Sequence, residues 1–293
     1  MTVPLTPSQA VLNAASTART LAARPVVVKL GGSAMEEPTA TSGTLACVAA
    51  LNQLKLRIVV VHGGGKPIDR AMAAAGIEPR KVQGRRYTDD TTLEIVVKVL
   101  HEINAALLEQ FAATGARGAA FSELDLGDPT EAFPLRGERL TLSGADGGPI
   151  DLGRVGKVTE VWDGELLETL FDGEVCFLPS LAVDPDGGWL NINADTVASA
   201  VAGALKSEHC LFLTDTPGVL ADRDNPLSLF PKLTEAECRD LIAHGTIAGG
   251  MIPKVEACFD ALNAGAKQAV ILDGRRPHAL MEWALGEPAG TTI

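Results

Sequence analysis

No window of the chain approaches the run of about 18 unbroken apolar residues that a membrane-spanning helix needs, and the N-terminus has no basic segment leading into an apolar one. Neither a spanning segment nor an export signal is expected, so the setting read from the sequence is cytoplasmic. Positive charge is scarce: 25 Lys+Arg against 37 Asp+Glu give a formal net charge of -12 and a pI near 4.9. Nucleic acid and anionic membrane surfaces need a basic footprint, so neither is expected as a partner. Any anionic ligand must be held by cations placed locally. Cysteine is sparse and odd in number, with Cys47, Cys176, Cys210, Cys238 and Cys258 scattered and no C-x-x-C. That pattern excludes a disulfide framework and reads as reduced, mostly buried thiols. Aromatics make up only 4% of the 293 residues, which leaves aliphatic side chains to build the core. Long linkers and low-complexity tracts are missing too, so any two lobes are expected to share one continuous sheet.

What is present is a recurrence of short apolar runs: residues 25–30, 57–61, 116–122, 174–179, 210–215 and 268–273. Most lack polar alternation, as strands buried on both faces do. Helical patterns fall between them, near 42–55, 66–75, 89–113, 164–171, 194–206, 234–243, 250–264 and 277–285. This alternation predicts an α/β fold with an open, mostly parallel central sheet covered by helices on both faces, a three-layer sandwich. Residues 133–161 break the rhythm with glycine-rich turns and read as a hairpin excursion. The turn at 184–188 precedes a strand feeding a helix from 194. Ahead of the first strand, residues 6–22 read as a weakly apolar helix stopped before Pro25, fit either to pad the core or to meet a neighbouring subunit. The boundaries that follow are 1–24 for this helix, 25–190 for a first lobe and 191–293 for a second.

Two of the apolar runs end in glycine. "VVVKLGG" carries Lys29 before Gly31 and Gly32, and "VVVHGGGK" runs into Gly63, Gly64, Gly65 and Lys66. Glycine lets backbone N–H groups approach an anion, and a following helix N-terminus adds partial positive charge. Neither standard nucleotide loop fits, however. Gly65-Lys66 is followed by Pro67 with Val60 where a P-loop needs its first glycine, and Ile68 stands at the third glycine of the dinucleotide fingerprint. In an open α/β sheet ligands sit at the carboxyl ends of strands, so two glycine turns there can face one anion. "QGRRYTDD" adds Arg85 and Arg86, either of them suited to clamp a carboxylate or simply solvated.

The order KLGG, VHGGG, GRRYTD, LNINADTVA, LTDTPGVL, GGMIPK and terminal GTTI resembles the N-acetylglutamate kinase family of the amino acid kinase superfamily, from about residue 25 to residue 293. Each motif alone is weakly specific; seven in this order are strong. The resemblance implies the amino acid kinase fold and transfer of the γ-phosphoryl of ATP to the side-chain carboxylate of N-acetyl-L-glutamate, an early step of arginine biosynthesis. It implies Lys29 and Lys254 as the cations that stabilise the transferring phosphoryl, with Asp195 orienting both. Gly64, Gly65, Arg86 and Asn191 are implied in acceptor binding, and Gly31 and Gly32 along the phosphoryl path. Nucleotide binding is implied for Asp215, Thr216, Pro217, Gly218, Val219 and Leu220 and for Thr246, Ile247 and Ala248. Magnesium is expected to arrive with ATP, held by phosphates and water, with no dedicated protein metal site. The acceptor carboxylate is already ionised at neutral pH, with a reference pKa of about 4.3, so no general base is required.

Arginine-inhibited members of that family imply further an N-terminal helix joining dimers into a hexamer and an arginine effector site, here matched by His278 and Glu287. Homodimer and hexamer, a trimer of dimers, both stay open. The chain departs from that pattern in lacking aromatics in the N-terminal helix and in having Pro288 after Glu287. Two other readings stand beside the kinase: a sister kinase acting on carrier-bound aminoadipate or glutamate, and a non-catalytic amino-acid sensor of the same fold.

Overall fold

The computed structural model describes residues 6, 8, 9, 11–13, 15, 16, 24–121, 133–144, 147–287 and 289–293. Thirteen strands occur among them: β1 (Val26–Leu30), β2 (Ile58–His62), β3 (Lys81–Val82), β4 (Arg85–Arg86), β5 (Gly118–Ala120), β6 (Leu135–Ser143), β7 (Pro149–Val161), β8 (Val175–Pro179), β9 (Leu181–Val183), β10 (Trp189–Ile192), β11 (His209–Thr214), β12 (Gln268–Asp273) and β13 (Gly290–Thr292). Seven form one sheet in the order β13-β12-β11-β1-β2-β8-β5. All its pairings are parallel except β12 with the edge strand β13.

Period-2 alternation divides the sheet's side chains between two cores. Val27, Val59, Val61, Cys176 and Leu178 face the helices Gly65–Ala74, Asp163–Phe171, Ala194–Ala204 and Ile252–Ala264. Val26, Val28, Leu30, Val60 and Phe177 face the helices Pro38–Gln53 and Ala279–Ala284. The long helix Asp90–Ala112 serves both, with Val96 and Leu100 in the first core and Leu107 and Phe111 in the second. The unbroken apolar runs of the sequence thus have the physical cause inferred for them, burial on both faces. Cys47, Cys176, Cys210, Cys238 and Cys258 are all free and buried. Burial pushes the Cys176 thiol up to about 12 and that of Cys238 to about 11, which keeps both protonated and inert.

The excursion at 133–161 is an antiparallel hairpin, β6 with β7, and it closes with β9 and β10 into a small four-stranded barrel. The barrel is tied to the loop before the helix Asp90–Ala112 at one point of close approach. Gly153 has φ +70°, and a methyl on it would lie 2.2 Å from the Thr88 carbonyl oxygen. That oxygen accepts a 2.6 Å hydrogen bond from the Arg154 N–H.

Several short elements have no counterpart in the sequence reading: the helix Gly32–Glu36, the β3–β4 ribbon, β9, the 3-10 turn Pro226–Ser228 and β13. Each is too short for a hydrophobic periodicity to repeat and be recognised, and β13 is defined by its pairing with β12. Of the helix expected over 6–22, residues 8, 9, 11–13, 15 and 16 are helical and exposed, and Thr6 is exposed and non-helical; the other positions, and Pro288, lie outside the described residues.

Candidate active site

Lys29 shares a sheet face with Val27, the face on which the helix Ala194–Ala204 packs. That helix opens with Asn193 as its N-cap, the Asn193 Oδ1 accepting from the Asp195 N–H at 2.8 Å and the Thr196 N–H at 3.3 Å. The cap fixes Asp195 in the first turn, where the helix dipole favours a carboxylate. Its Oδ1 lies 2.7 Å from Lys29 Nζ, and the lysine side chain is only 12% exposed. A cation at the end of a central strand is thereby held in place by a carboxylate from the helix above it.

A cavity of about 290 Å³ opens over this pair at the carboxyl ends of β1, β2 and β8. Of the residues implied in acceptor binding or in the phosphoryl path, Gly32, Gly64, Gly65, Arg86 and Asn191 line it together with Lys29 and Asp195. Gly31 does not; its N–H is spent on the Leu213 carbonyl at 2.9 Å, which joins the first glycine turn to β11. Gly64 caps the helix Gly65–Ala74 without a side-chain hydrogen bond, which leaves the first-turn amides of that helix to the cavity.

Arg86 is delivered by the tight β3–β4 ribbon, whose turn residues Gln83 and Gly84 both have positive φ. Its guanidinium is 10% exposed, ion-paired at 2.5 Å with Asp69 Oδ1 and donating to the Gly65 carbonyl at 3.2 Å. Asn191 donates to Thr88 Oγ1 at 3.1 Å, and Thr88 in turn donates to the Arg86 carbonyl at 3.0 Å. The arginine, the asparagine and the glycine turn are therefore one connected frame. Lys66 lies outside the cavity wall and pairs with Glu36 at 2.5 Å, tying the two glycine-led helices together at the surface.

A second cavity, about 830 Å³, opens at the carboxyl ends of β11 and β12. Asp215–Leu220 and Thr246–Ala248 all line it, as does Lys254. The Lys254 ammonium is 3.1 Å from Asp215 Oδ1 and 3.3 Å from the Gly250 carbonyl, so its partner here is Asp215 and not Asp195. Partial burial raises the Asp215 pKa, but the hydrogen bond and charge of Lys254, with the charge of Arg275, outweigh it and hold the carboxyl below its ordinary value. Arg275 is a cation that sequence reasoning passed over. Its Nε and Nη2 each lie 2.8 Å from an oxygen of the buried Asp273 in a bidentate pair. Arg223 and Arg276 line the same cavity, so an acidic protein concentrates four cations around one opening. Nothing in the spacing of "DGRR" distinguishes those arginines from solvated ones.

The two cavities lie on helices that pack together. Ser199, one turn beyond Asp195, donates to the Ala257 carbonyl of the Lys254 helix at 3.0 Å. His278 and Glu287 line neither cavity; both are exposed and flank the helix Ala279–Ala284.

The model of the amino acid kinase family matches residues 24–273. An acetylglutamate kinase of Symbiobacterium thermophilum is 38% identical over 278 residues, covering 94% of this chain and 93% of that protein. One of Agrobacterium fabrum is 40% identical over 272 residues, covering 92% and 91%. Among solved structures, the N-acetylglutamate synthase of Neisseria gonorrhoeae complexed with coenzyme A and L-arginine superposes with a TM-score of 0.79 at 22% identity. That match covers 99% of this chain and 65% of the synthase; at this identity it speaks for the fold alone.

Proposed function

The chain belongs to the amino acid kinase family, among the acetylglutamate kinases, and from that membership we propose that its two cavities are the acceptor and nucleotide sites of one phosphoryl transfer. The reaction is the ATP-dependent phosphorylation of the side-chain carboxylate of N-acetyl-L-glutamate, a step of arginine biosynthesis. One observation carries the assignment of the sites: two lysines, each held by a carboxylate, stand at the openings of two cavities on the same edge of the sheet.

The chemistry matches what the chain supplies. The attacking carboxylate needs no base, and the obstacle is repulsion between it and a polyphosphate. Two unit charges about 4 Å apart at an effective dielectric near 20 interact by roughly 4 kcal/mol, so a few fixed cations govern the barrier. Lys29 acts from the acceptor side and Lys254 from the nucleotide side. The Asp195–Lys29 contact keeps the ammonium aimed along the glycine turns, and Arg86 with Asn191 holds the acceptor's other carboxylate. Gly64 and Gly65 offer N–H donors to the reacting carboxylate, while Gly31 shapes the path by fixing the first turn to β11. The adenine nucleotide occupies the larger cavity along Asp215–Leu220 and Thr246–Ala248. Both carboxylates of that cavity, Asp215 and Asp273, are engaged by cations. Mg2+ accompanying ATP is therefore assigned to phosphate oxygens and water.

Residues 25–190 and 191–293 are proposed as the acceptor and nucleotide lobes. A cytoplasmic setting, a homodimer or a trimer of dimers, and arginine inhibition through His278 and Glu287 complete the proposal. No described helix is long and apolar enough to cross a membrane. The test is ADP release with acetylglutamate, glutamate and aminoadipate as acceptors, run beside solution molar mass with and without arginine. Turnover of acetylglutamate in preference to the other two is expected; turnover of the free amino acids alone would refute the acceptor assignment.

A further inference from the structure

Most polar side chains on the wall of the smaller cavity already have partners: Lys29 has Asp195, Arg86 has Asp69, Asn191 has Thr88, and Asn193 caps its helix. Ser180 is different. It follows directly on β8, it is 3% exposed, and it lines the cavity. Its carbonyl is used by the Ile192 N–H at 3.1 Å, whereas its hydroxyl bonds no described residue and stays open to the cavity.

The register places that hydroxyl. β8 pairs with β2 so that Pro179 lies opposite His62, which brings Ser180 level with Gly63, the first residue of the glycine turn. A methyl built on Gly63 would lie 3.9 Å from Ser180 Oγ and 3.2 Å from the Ala194 Cβ, one residue before Asp195. The hydroxyl is therefore at the part of the cavity where the glycine turn meets the first turn of the Asp195 helix. A hydroxyl that bonds no protein group takes its acceptor from whatever fills the space it opens on, water or an oxygen of a ligand. Here the open side of the hydroxyl is the cavity itself.

We infer that Ser180 is a further acceptor-binding residue, whose hydroxyl donates a hydrogen bond to an oxygen of the carboxylate about to be phosphorylated. This rests on the reading of the smaller cavity as the acetylglutamate site. Donation to a carboxylate is charge-assisted and stronger than a neutral hydrogen bond. It complements the backbone donors of the glycine turn by approaching from β8, so the reacting group is held from two strands and keeps one oxygen facing the nucleotide side.

The experiment compares wild type, Ser180→Ala and Ser180→Thr by acetylglutamate binding calorimetry without ATP, by steady-state kinetics for both substrates, and by thermal unfolding. Ser180→Ala is expected to weaken acetylglutamate binding and lower its kcat/KM by about tenfold or more, with KM for ATP and the unfolding temperature unchanged. Ser180→Thr, which retains the hydroxyl, is expected to recover most of the loss. Binding and kcat/KM within twofold of wild type in Ser180→Ala would overturn the inference while leaving the cavity's assignment intact. Failure of the wild type to bind acetylglutamate would overturn both.

Discussion

The imidazole of His62 is a sensitive probe of the frame behind the glycine turn. It is completely buried at the end of β2, with Nε2 3.0 Å from Asn104 Oδ1. Asn104 Nδ2 already donates to the carbonyls of Phe121 at 3.1 Å and Phe177 at 3.3 Å, so Oδ1 must accept and His62 Nε2 must carry the proton. Nδ1 is then a lone pair 3.4 Å from the Gly63 carbonyl oxygen, and the ring is neutral. Burial, the largest influence, depresses the His62 pKa to about 4; the Gly63 carbonyl and Asn104 only partly offset it, and the charge of His101 adds to the depression. The unfolded chain therefore takes up this proton first as pH falls. Stability from His62 is fully present above its unfolded value of about 6.5 and is lost as pH drops from there toward 4. At about 1.4 kcal/mol per pH unit the full loss is roughly 3 kcal/mol, a large fraction of a typical domain's stability. His209, depressed by burial to about 4 despite the charge of Glu208, acts in the same direction. The two are separated by measuring urea unfolding from about pH 7.5 to 4.5 for wild type and for His62→Gln, whose amide can still donate to Asn104. The wild type is expected to lose roughly 2–3 kcal/mol more than the variant over that range. Parallel stability curves for the two proteins would refute the neutral, depressed His62 and the tautomer derived from it.

Lys29→Ala and Lys254→Ala are each expected to lower kcat by about a thousandfold, the equivalent of roughly 4 kcal/mol, with much smaller changes in substrate affinity; wild-type kcat in both would remove them from the chemistry. At Gly153 an alanine meets both a positive φ and the Thr88 carbonyl, so Gly153→Ala is expected to cost about 2–4 kcal/mol in urea unfolding. It should also raise KM for the acceptor, because Thr88 links Asn191 to Arg86; an unchanged unfolding midpoint would show that the barrel is not pinned there.

Local chemistry made much of this protein legible from its sequence. Strands buried on both faces must be continuously apolar, so β1, β2, β8, β11 and β12 stood out as short aliphatic runs. Glycine turns and the hairpin at 133–161 are likewise set by residues close in the chain. Of the residues collected by motif order for catalysis, acceptor, phosphoryl path and nucleotide, all but Gly31 line one of the two cavities, many of them at strand ends whose positions the strands dictate.

What sequence could not carry were the partnerships. That Arg86 is held by Asp69, that Lys254 reaches Asp215, that Arg275 is clamped by Asp273, that Gly153 touches Thr88 and that Ser180 faces the glycine turn are all facts of tertiary closure. Even where two partners are close in the chain, as Asp273 and Arg275 are, their pairing depends on how the sheet and helices exclude water around them. A charged or hydroxyl side chain looks the same in sequence whether solvated or engaged. Only the packing that buries one of its neighbours decides which it is.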